Sequence, residues 1–537
     1  MTQFDPEALK TRRQFLHLAG AGATAGLGAA ALDPRSVHAS TGPHSRQFLV
    51  TAYGAVGDGK AIDSPAINRA IDAAAAAGGG TVSFPAGTYR CYSIRLKSHV
   101  ALAFEPGATI LAADGAQYDP AGPKQPWEAY QDFGHNHWQN SLLWGEGLEN
   151  IAITGPGLIY GKGLSKGYGP GPKAEDPGVG DKAIALKNCH NVLLRDFAIQ
   201  QGGHFGILAT GVDSLTVDNL VIDTNRDGMD IDCCRNARIT NCTVNSPWDD
   251  GICLKSSFAL GYARPTENVT ISNCYVSGCW QLGSVIDGTW KKHPPGAEVY
   301  WTGRIKLGTE SNGGFLNIAI SNCIFEGCQG LALETVDGAH LEDIAVTNLT
   351  MRDITTGPLF LRLGARLRGP KATTKTGTLR RVNIANIICT SRNVAACSIL
   401  SGIPGVAMQD VNIHDMQVLT PGGGTAQQAA LQPPEAVAKY PEPNMFGPMP
   451  AYGFYIRHLQ GLSLANIALK TRQPDARPAI VLQDVSDARL FQIRARQAGH
   501  APLLALQQVT EFAIRYSDPV PDASLAQAES VHLPPGT

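Results

Sequence analysis

The chain is poor in charge, in aromatic residues and in long apolar runs. Of 537 residues only 17% are charged and 7% aromatic, and 44 Lys+Arg nearly cancel 46 Asp+Glu for a formal net charge of -2. Nucleic-acid or anionic-membrane partners usually require a basic excess, so neither is expected. Beyond residue 39 no apolar stretch is long enough to span a bilayer, so the mature chain is not expected to insert into a membrane. No Cys-x-x-Cys pair or His-rich cluster marks a zinc site, and no metal or cofactor is called for. Tryptophan is missing beyond Trp301: all seven lie between Trp127 and Trp301. Glycine (59) and proline (34) are plentiful without a strict period, which suits a chain of many turns and argues against long helices.

The N-terminus reads as an address. Arg12 and Arg13, a weakly apolar Gly/Ala-rich run to Leu32, and Val37-His38-Ala39 before Ser40 have the form of a twin-arginine leader with a cleavage site. Residues 1–39 are therefore expected to be a signal peptide handled by the twin-arginine export machinery. Residues 40–537 would be one exported catalytic domain, periplasmic or secreted. That route carries folded proteins from a reducing cytoplasm, so the twelve cysteines are expected to be stacked thiols.

A repeat runs through the middle of the chain: an apolar residue, another two later, and Asn two after that. Leu215-Val217-Asn219, Ala237-Ile239-Asn241, Val269-Ile271-Asn273, Ile318-Ile320-Asn322, Ile344-Val346-Asn348, Val382-Ile384-Asn386 and Leu462-Leu464-Asn466 all carry it. Val192 and Val411 begin similar strands with Asp196 and Asp415 at the Asn position. Alternating strands with a period in the twenties and no helical stripe predict a solenoid of β-coils, all-β, with loops inserted where the period lengthens. Asn tolerates the left-handed turn, and stacked amides can bond each other. Cys242, Cys274 and Cys323 share one phase and should form an inward column. A helix over Ala66–Ala77 is expected to cap the start.

Twelve residues on from Val192, Leu215 and Ala237 stand His204, Asp227 and Asp249, with Asp250 following. Residues of equal phase stack about 4.8 Å apart in adjacent coils, so three carboxylates and an imidazole should share one strip. Alternation should send Asp230, Asp232, Lys255 and Lys306 outward beside them. Carboxylates this close cannot all ionise, and a protonated carboxyl beside an ionised one is what glycoside hydrolysis requires.

At these residues the chain resembles glycoside hydrolase family 28, the polygalacturonase family. Asn225-Arg226-Asp227-Gly228-Met229-Asp230 is similar to its Asn-Thr-Asp-Gly-Ile-Asp motif, and Trp248-Asp249-Asp250-Gly251 to its Gly-Asp-Asp segment. Tyr53–Gly59 and Gly80–Tyr89 resemble its entry cap, so the resemblance spans about residues 47–350. It implies a right-handed parallel β-helix, Asp249 as general acid, and Asp227 and Asp250 activating water in an inverting hydrolysis. Two departures stand out. The family's Gly-His-Gly is replaced by Thr302-Gly303-Arg304, and its Arg-Ile-Lys by Ala332-Leu333-Glu334. Glu334 either pairs with Arg362 one coil later or touches substrate; Arg304, Lys306 or Lys255 would supply cations, and His204 would stand in for the missing imidazole.

Sugars present flat C–H faces to aromatic rings, so the tryptophans suggest a carbohydrate groove with Trp248, Trp290 and Trp301 against the substrate. Insertions that wall such a groove favour end-on attack on short or branched chains. The Pro-rich stretch Gln432–Pro450 is a further loop, and Tyr440, Phe446 and Tyr452 are candidates to reach the groove. The expected partner is a pectin-type or related acidic or branched poly- or oligosaccharide. Two other readings stay open: a β-helical lyase with Arg304 or Lys306 as base and Ca²⁺ on the carboxylates, and a glycan-binding β-helix without catalysis.

Overall fold

The computed structural model describes residues 46–167, 169, 171–495 and 501–534. The expected leader and its boundary at residue 39 lie outside the described residues. The described residues form one compact unit, a right-handed parallel β-helix.

The coils stack in the register that the repeat predicts. Val192 pairs with Leu215 and Val217 with Ile239, as do Val269 with Ile318 and Ile344 with Val382. The apolar members of each repeat fill one continuous core. The Asn positions adopt the left-handed region, from φ 51° at Asn466 to 58° at Asn241, and Asp196 and Asp415 do the same. Asn273, Asn322 and Asn348 each donate an amide bond to the Asn of the coil before, at 3.3, 3.3 and 2.9 Å. The ladder ends where Asn386 turns to Thr347 instead. Cys242, Cys274 and Cys323 are buried among the core residues, and all twelve cysteines are free thiols.

The capping helix runs Ser64–Ala76, starting two residues before the expected Ala66. It lays Ile67, Ala70, Ile71 and Ala74 on the open end of the first coils. At the far end Leu504–Arg515 pairs antiparallel with Ala523–Leu533, which ends the parallel stacking.

One sheet of the helix carries the chemistry. Its consecutive strands are β1 (Phe205–Thr210), β2 (Asp227–Asp232), β3 (Ile252–Ser256), β4 (Ile305–Ser311) and β5 (Leu331–Thr335). Met229, Ile231, Ile252, Leu254, Ile305 and Leu307 face the core, so Asp230, Asp232, Lys255 and Lys306 face out. Outward does not mean exposed here. Inserted loops cover this face, and all four side chains are buried.

Candidate active site

The register across this sheet corrects the sequence count by one residue. Phe205 aligns with Asp227, and Met229 with Ile252, which sets Asp250, not Asp249, on Asp227. The turn leading to β3 holds one residue more than the turn before it. His204 is displaced from the strip for the same reason. The three carboxylates still converge: one oxygen each from Asp227, Asp249 and Asp250 lie within 4.8 Å of one another.

Their surroundings differ. Asp227 is buried, and burial together with the charges of Asp230 and Asp249 raises its pKa well above the usual carboxylate range. Burial would do the same to Asp250, but Lys306, Arg304 and Lys255 outweigh it and hold Asp250 ionised, its pKa lowered. Arg304 Nε meets Asp250 Oδ1 at 2.9 Å, and Lys306 Nζ lies 3.4 Å from Oδ2. Asp249 is partly exposed and grips Arg226, whose Nη2 and Nε donate to Oδ2 at 2.8 and 3.0 Å. A proton shared among the three carboxylates therefore rests on Asp227. The same geometry bears on Ca²⁺: Asp249 and Asp250 already have cationic partners, so a divalent ion would have to displace Arg226, Arg304 and Lys306.

The expected substrate cations are occupied. Arg304 is fully buried, its Nη2 2.5 Å from Glu442 Oε1, and Lys306 lies 3.3 Å from the same oxygen and 3.6 Å from Glu334. Lys255 lies 2.9 Å from Glu310 and 3.5 Å from Asp230. Glu334 does not pair with Arg362, although the two are register partners on adjacent strands. Arg362 instead donates to Ser401 and to the carbonyls of Gly402, Glu435 and Ala436, while Glu334 turns to Lys306. Burial raises the Glu334 pKa to about 8, with the nearby Glu442 and Asp250 charges adding to the rise against Lys306 and Arg304.

His204 does not reach the trio. It stacks on Phe205 at 4.0 Å, with Nδ1 3.4 Å from Asp181 Oδ1. Burial and the Arg226 charge lower its pKa to about 4 despite Asp181. The imidazole on the acidic strip is His135, from an inserted loop, with Nε2 3.3 Å from Asp230 Oδ2. Sequence phase could not find His135, because an inserted loop has no coil register. Glu442 was missed for the same reason; it comes from the Pro-rich loop together with Tyr440, whose ring lies 5.6 Å from Lys306 Nζ. Phe446 of that loop packs against Arg362 and Arg457, and Tyr452 lies in the core, so neither joins the groove.

The tryptophans divide. Trp127, Trp138 and Trp144 have their indole N–H groups bonded to Ala259, Thr210 and Asp119 and brace the first inserted loop. Trp248 and Trp301 flank His293 beside the trio, with ring centroids 5.8 and 6.1 Å away, and Arg392 lies 4.4 Å over Trp301. Trp290 is 41% exposed and packs edge-on against Trp280 and Tyr275.

A family model described as rhamnogalacturonase A/epimerase, pectate lyase-like, matches residues 48–283, the stretch that holds Asp227, Asp249 and Asp250. A probable polygalacturonase of Vitis vinifera is 23% identical over 391 residues, covering 67% of this chain and 73% of its own. The chain is thus similar to polygalacturonase-like proteins along most of its length. An exopolygalacturonase structure from Thermotoga maritima shares the fold, with TM-score 0.57 and 16% identity over 79% of this chain and 92% of that one. The polygalacturonase-like chain also has a relative with different chemistry. Mannuronan C5-epimerase AlgE1 of Azotobacter vinelandii is 31% identical over 206 residues, 34% of this chain and 14% of the epimerase.

Proposed function

We propose that the protein is a glycoside hydrolase that cleaves a pectin-type or related acidic or branched plant glycan with Asp227, Asp249 and Asp250. The observation that carries this reading is the unequal ionisation of three converging carboxylates: one favours a proton, while the other two sit on cations. An acid and a base within reach of one bond are what glycosidic hydrolysis demands. The acid protonates the leaving oxygen, water adds to the anomeric carbon, and the base takes the proton that water loses. Both products then end in hydroxyl groups and the site's proton is restored.

In the roles implied by the resemblance, Asp249 is the acid, and Asp227 and Asp250 activate water. The raised Asp227 favours the proton instead, so those roles require it to cross to Asp249 when substrate binds. The oxygens lie closer than the about 6.5–9.5 Å gap of two-carboxylate inverting sites. Inversion therefore rests on the resemblance and needs the water held between Asp227 and Asp250. Trp248 and Trp301 would seat sugar rings on one side of the trio, and the inserted loops favour attack from a chain end.

A lyase or an epimerase must pull a proton from carbon with an unprotonated base. Arg304 and Lys306 suit this badly. Burial favours their neutral forms, but Asp250, Glu442 and Glu334 overcome it and hold both well above their usual range. The test is a product screen on rhamnogalacturonan, homogalacturonan and branched pectic fragments, with the anomeric configuration followed by NMR. New reducing ends of inverted configuration are expected; an ultraviolet-absorbing unsaturated product refutes the hydrolase. The same reading places the enzyme outside the cytoplasm through its twin-arginine leader.

A further inference from the structure

Beside Arg226, the partner of Asp249, residues 132–134, 165, 167, 169 and 172–175 line a cavity of about 380 Å³. That is within the range of small-ligand sites, about 300–1,000 Å³. Its inner wall is formed by Ser165, His204 and Arg226; Asp132, Lys173 and Glu175 stand exposed at the rim. Asp132 faces Arg368 at 3.8 Å. Two glycines let the loops close on this wall. A Cβ on Gly134 would come within 2.4 Å of the His204 ring, and one on Gly167 within 2.9 Å of both His204 and Arg226. His204 is neutral near pH 7, so Arg226 is the charged group of the inner wall. Its guanidinium already holds a carboxylate by two N–H bonds, that of Asp249.

We infer that this cavity receives the terminal hexuronate of an acidic chain, and that Arg226 exchanges the Asp249 carboxylate for the sugar's own carboxylate when the terminal unit enters. The inference rests on the hydrolase reading and deepens it. A guanidinium fork matches any planar carboxylate, so a uronate competes for the donors that hold Asp249. Once Asp249 loses Arg226, its anion is the less stabilised of the neighbouring pair. The proton on Asp227 then passes across the trio to Asp249. Asp227 is left as a carboxylate beside Asp250, and no proton enters or leaves. Uronate recognition is thereby tied to arming the acid. Arg226 stands where the family motif quoted above has Thr, and it supplies a carboxylate contact that Ala332-Leu333-Glu334 does not.

The test compares galacturonic acid with galactose by calorimetry, and native with carboxyl-reduced oligogalacturonides by kcat/KM. Wild type should favour the acid forms by about 10- to 100-fold, the span of a charge-assisted hydrogen-bond pair. In Arg226→Gln the preference should fall to near one, and the neutral chain should be cut faster than by wild type because Asp249 is released. Arg226→Lys should keep part of the preference, since a point charge lacks the fork, and it decides the matter if the Gln variant does not fold. Equal treatment of acid and neutral sugars by wild type overturns the inference, and so does a preference that survives Arg226→Gln. Binding preference lost with Arg226 but no cleavage of any glycan would leave the cavity assignment intact and remove the hydrolase reading.

Discussion

Removing Glu442 should cost less than its contacts suggest, because Glu334 stands ready to replace it. Glu442 Oε1 serves Arg304 at 2.5 Å and Lys306 at 3.3 Å, and Glu334 Oε2 lies 3.6 Å from the same Lys306. At an effective dielectric near 20, either carboxylate attracts Lys306 by roughly 4–5 kcal/mol before desolvation is subtracted. Breaking a buried pair by deleting one partner usually costs about 3–5 kcal/mol. Glu334 has a pKa of about 8, raised by burial and also by Glu442 itself. In Glu442→Gln that contribution is gone, Glu334 ionises more readily, and Lys306 recovers an anion. The single substitution should therefore cost about 1–2 kcal/mol and Glu334→Gln still less, whereas the double variant should lose about 1–3 kcal/mol beyond their sum.

The pH dependence has a definite sign. Glu334 is protonated in the fold up to about pH 8 and titrates near 4.5 when ordinary. Its contribution to stability is complete below that ordinary value and declines as pH rises to about 8. Glu334→Gln should flatten the decline in this window. Urea unfolding of wild type, both singles and the double at pH 5, 7 and 8.5 measures both effects. Strict additivity, or an unchanged pH slope in Glu334→Gln, would refute the shared-counterion account.

Three shorter predictions concern the site and the proposed leader. Asp227→Asn should lower kcat by about 10²–10⁴. It should also raise stability at neutral pH, since Asp227 keeps its proton in the fold but ionises once unfolded; the gain should fade as pH drops below the ordinary carboxylate value, where both states are protonated. A lower melting temperature at pH 7 would contradict this. Trp301→Ala should raise KM about 5- to 20-fold with kcat little changed, the pattern of a lost sugar platform that acts equally in ground and transition states; a kcat loss without a KM change would count against the platform. Replacing Arg12 and Arg13 together by Lys should leave precursor in the cytoplasm in a fractionation assay, and unchanged export would dismiss the twin-arginine reading.

The coil was legible because its physics repeats. Each Asn of the series, from Asn219 to Asn466, marks a left-handed corner that few other residues tolerate, and each apolar pair marks an inward strand. A period amplifies a weak signal, so Asp227, Asp249 and Asp250 could be brought together from spacing alone. The same reasoning slipped by one residue at Asp249, because a turn can absorb a residue without disturbing the strands on either side. It also missed whatever is delivered by insertions. His135, Glu442, and the roles of Asp181 and Arg226 depend on loops folding back over the sheet, and nothing periodic in those loops encodes where they land. The expected pair Glu334–Arg362 failed for a related reason: register placed them side by side, but Arg362 found carbonyl partners on the Pro-rich loop and Glu334 found Lys306.

A charge count of the ion-pair network around the trio, with the exposed Asp132 left aside, explains why a proton is held there at all. Asp227, Asp230, Asp249, Asp250, Glu310, Glu334, Asp337 and Glu442 meet Arg226, Lys255, Arg304, Lys306, Arg366 and Arg368 in one connected set of ion pairs and neighbouring charges. Eight acids face six permanent cations, and a poorly solvated surface resists net charge, so two acids should keep their protons. The raised groups of this set are Asp227 and Glu334, for both of which burial is the largest cause. Glu334 occupies the position of the family's Lys. With a cation there the same face would hold seven of each sign, and no proton would be required by the balance. The exchange of Lys for Glu thus does more than remove a uronate contact. With Glu334 keeping its own proton the network is one positive charge poorer, and the second retained proton falls to Asp227.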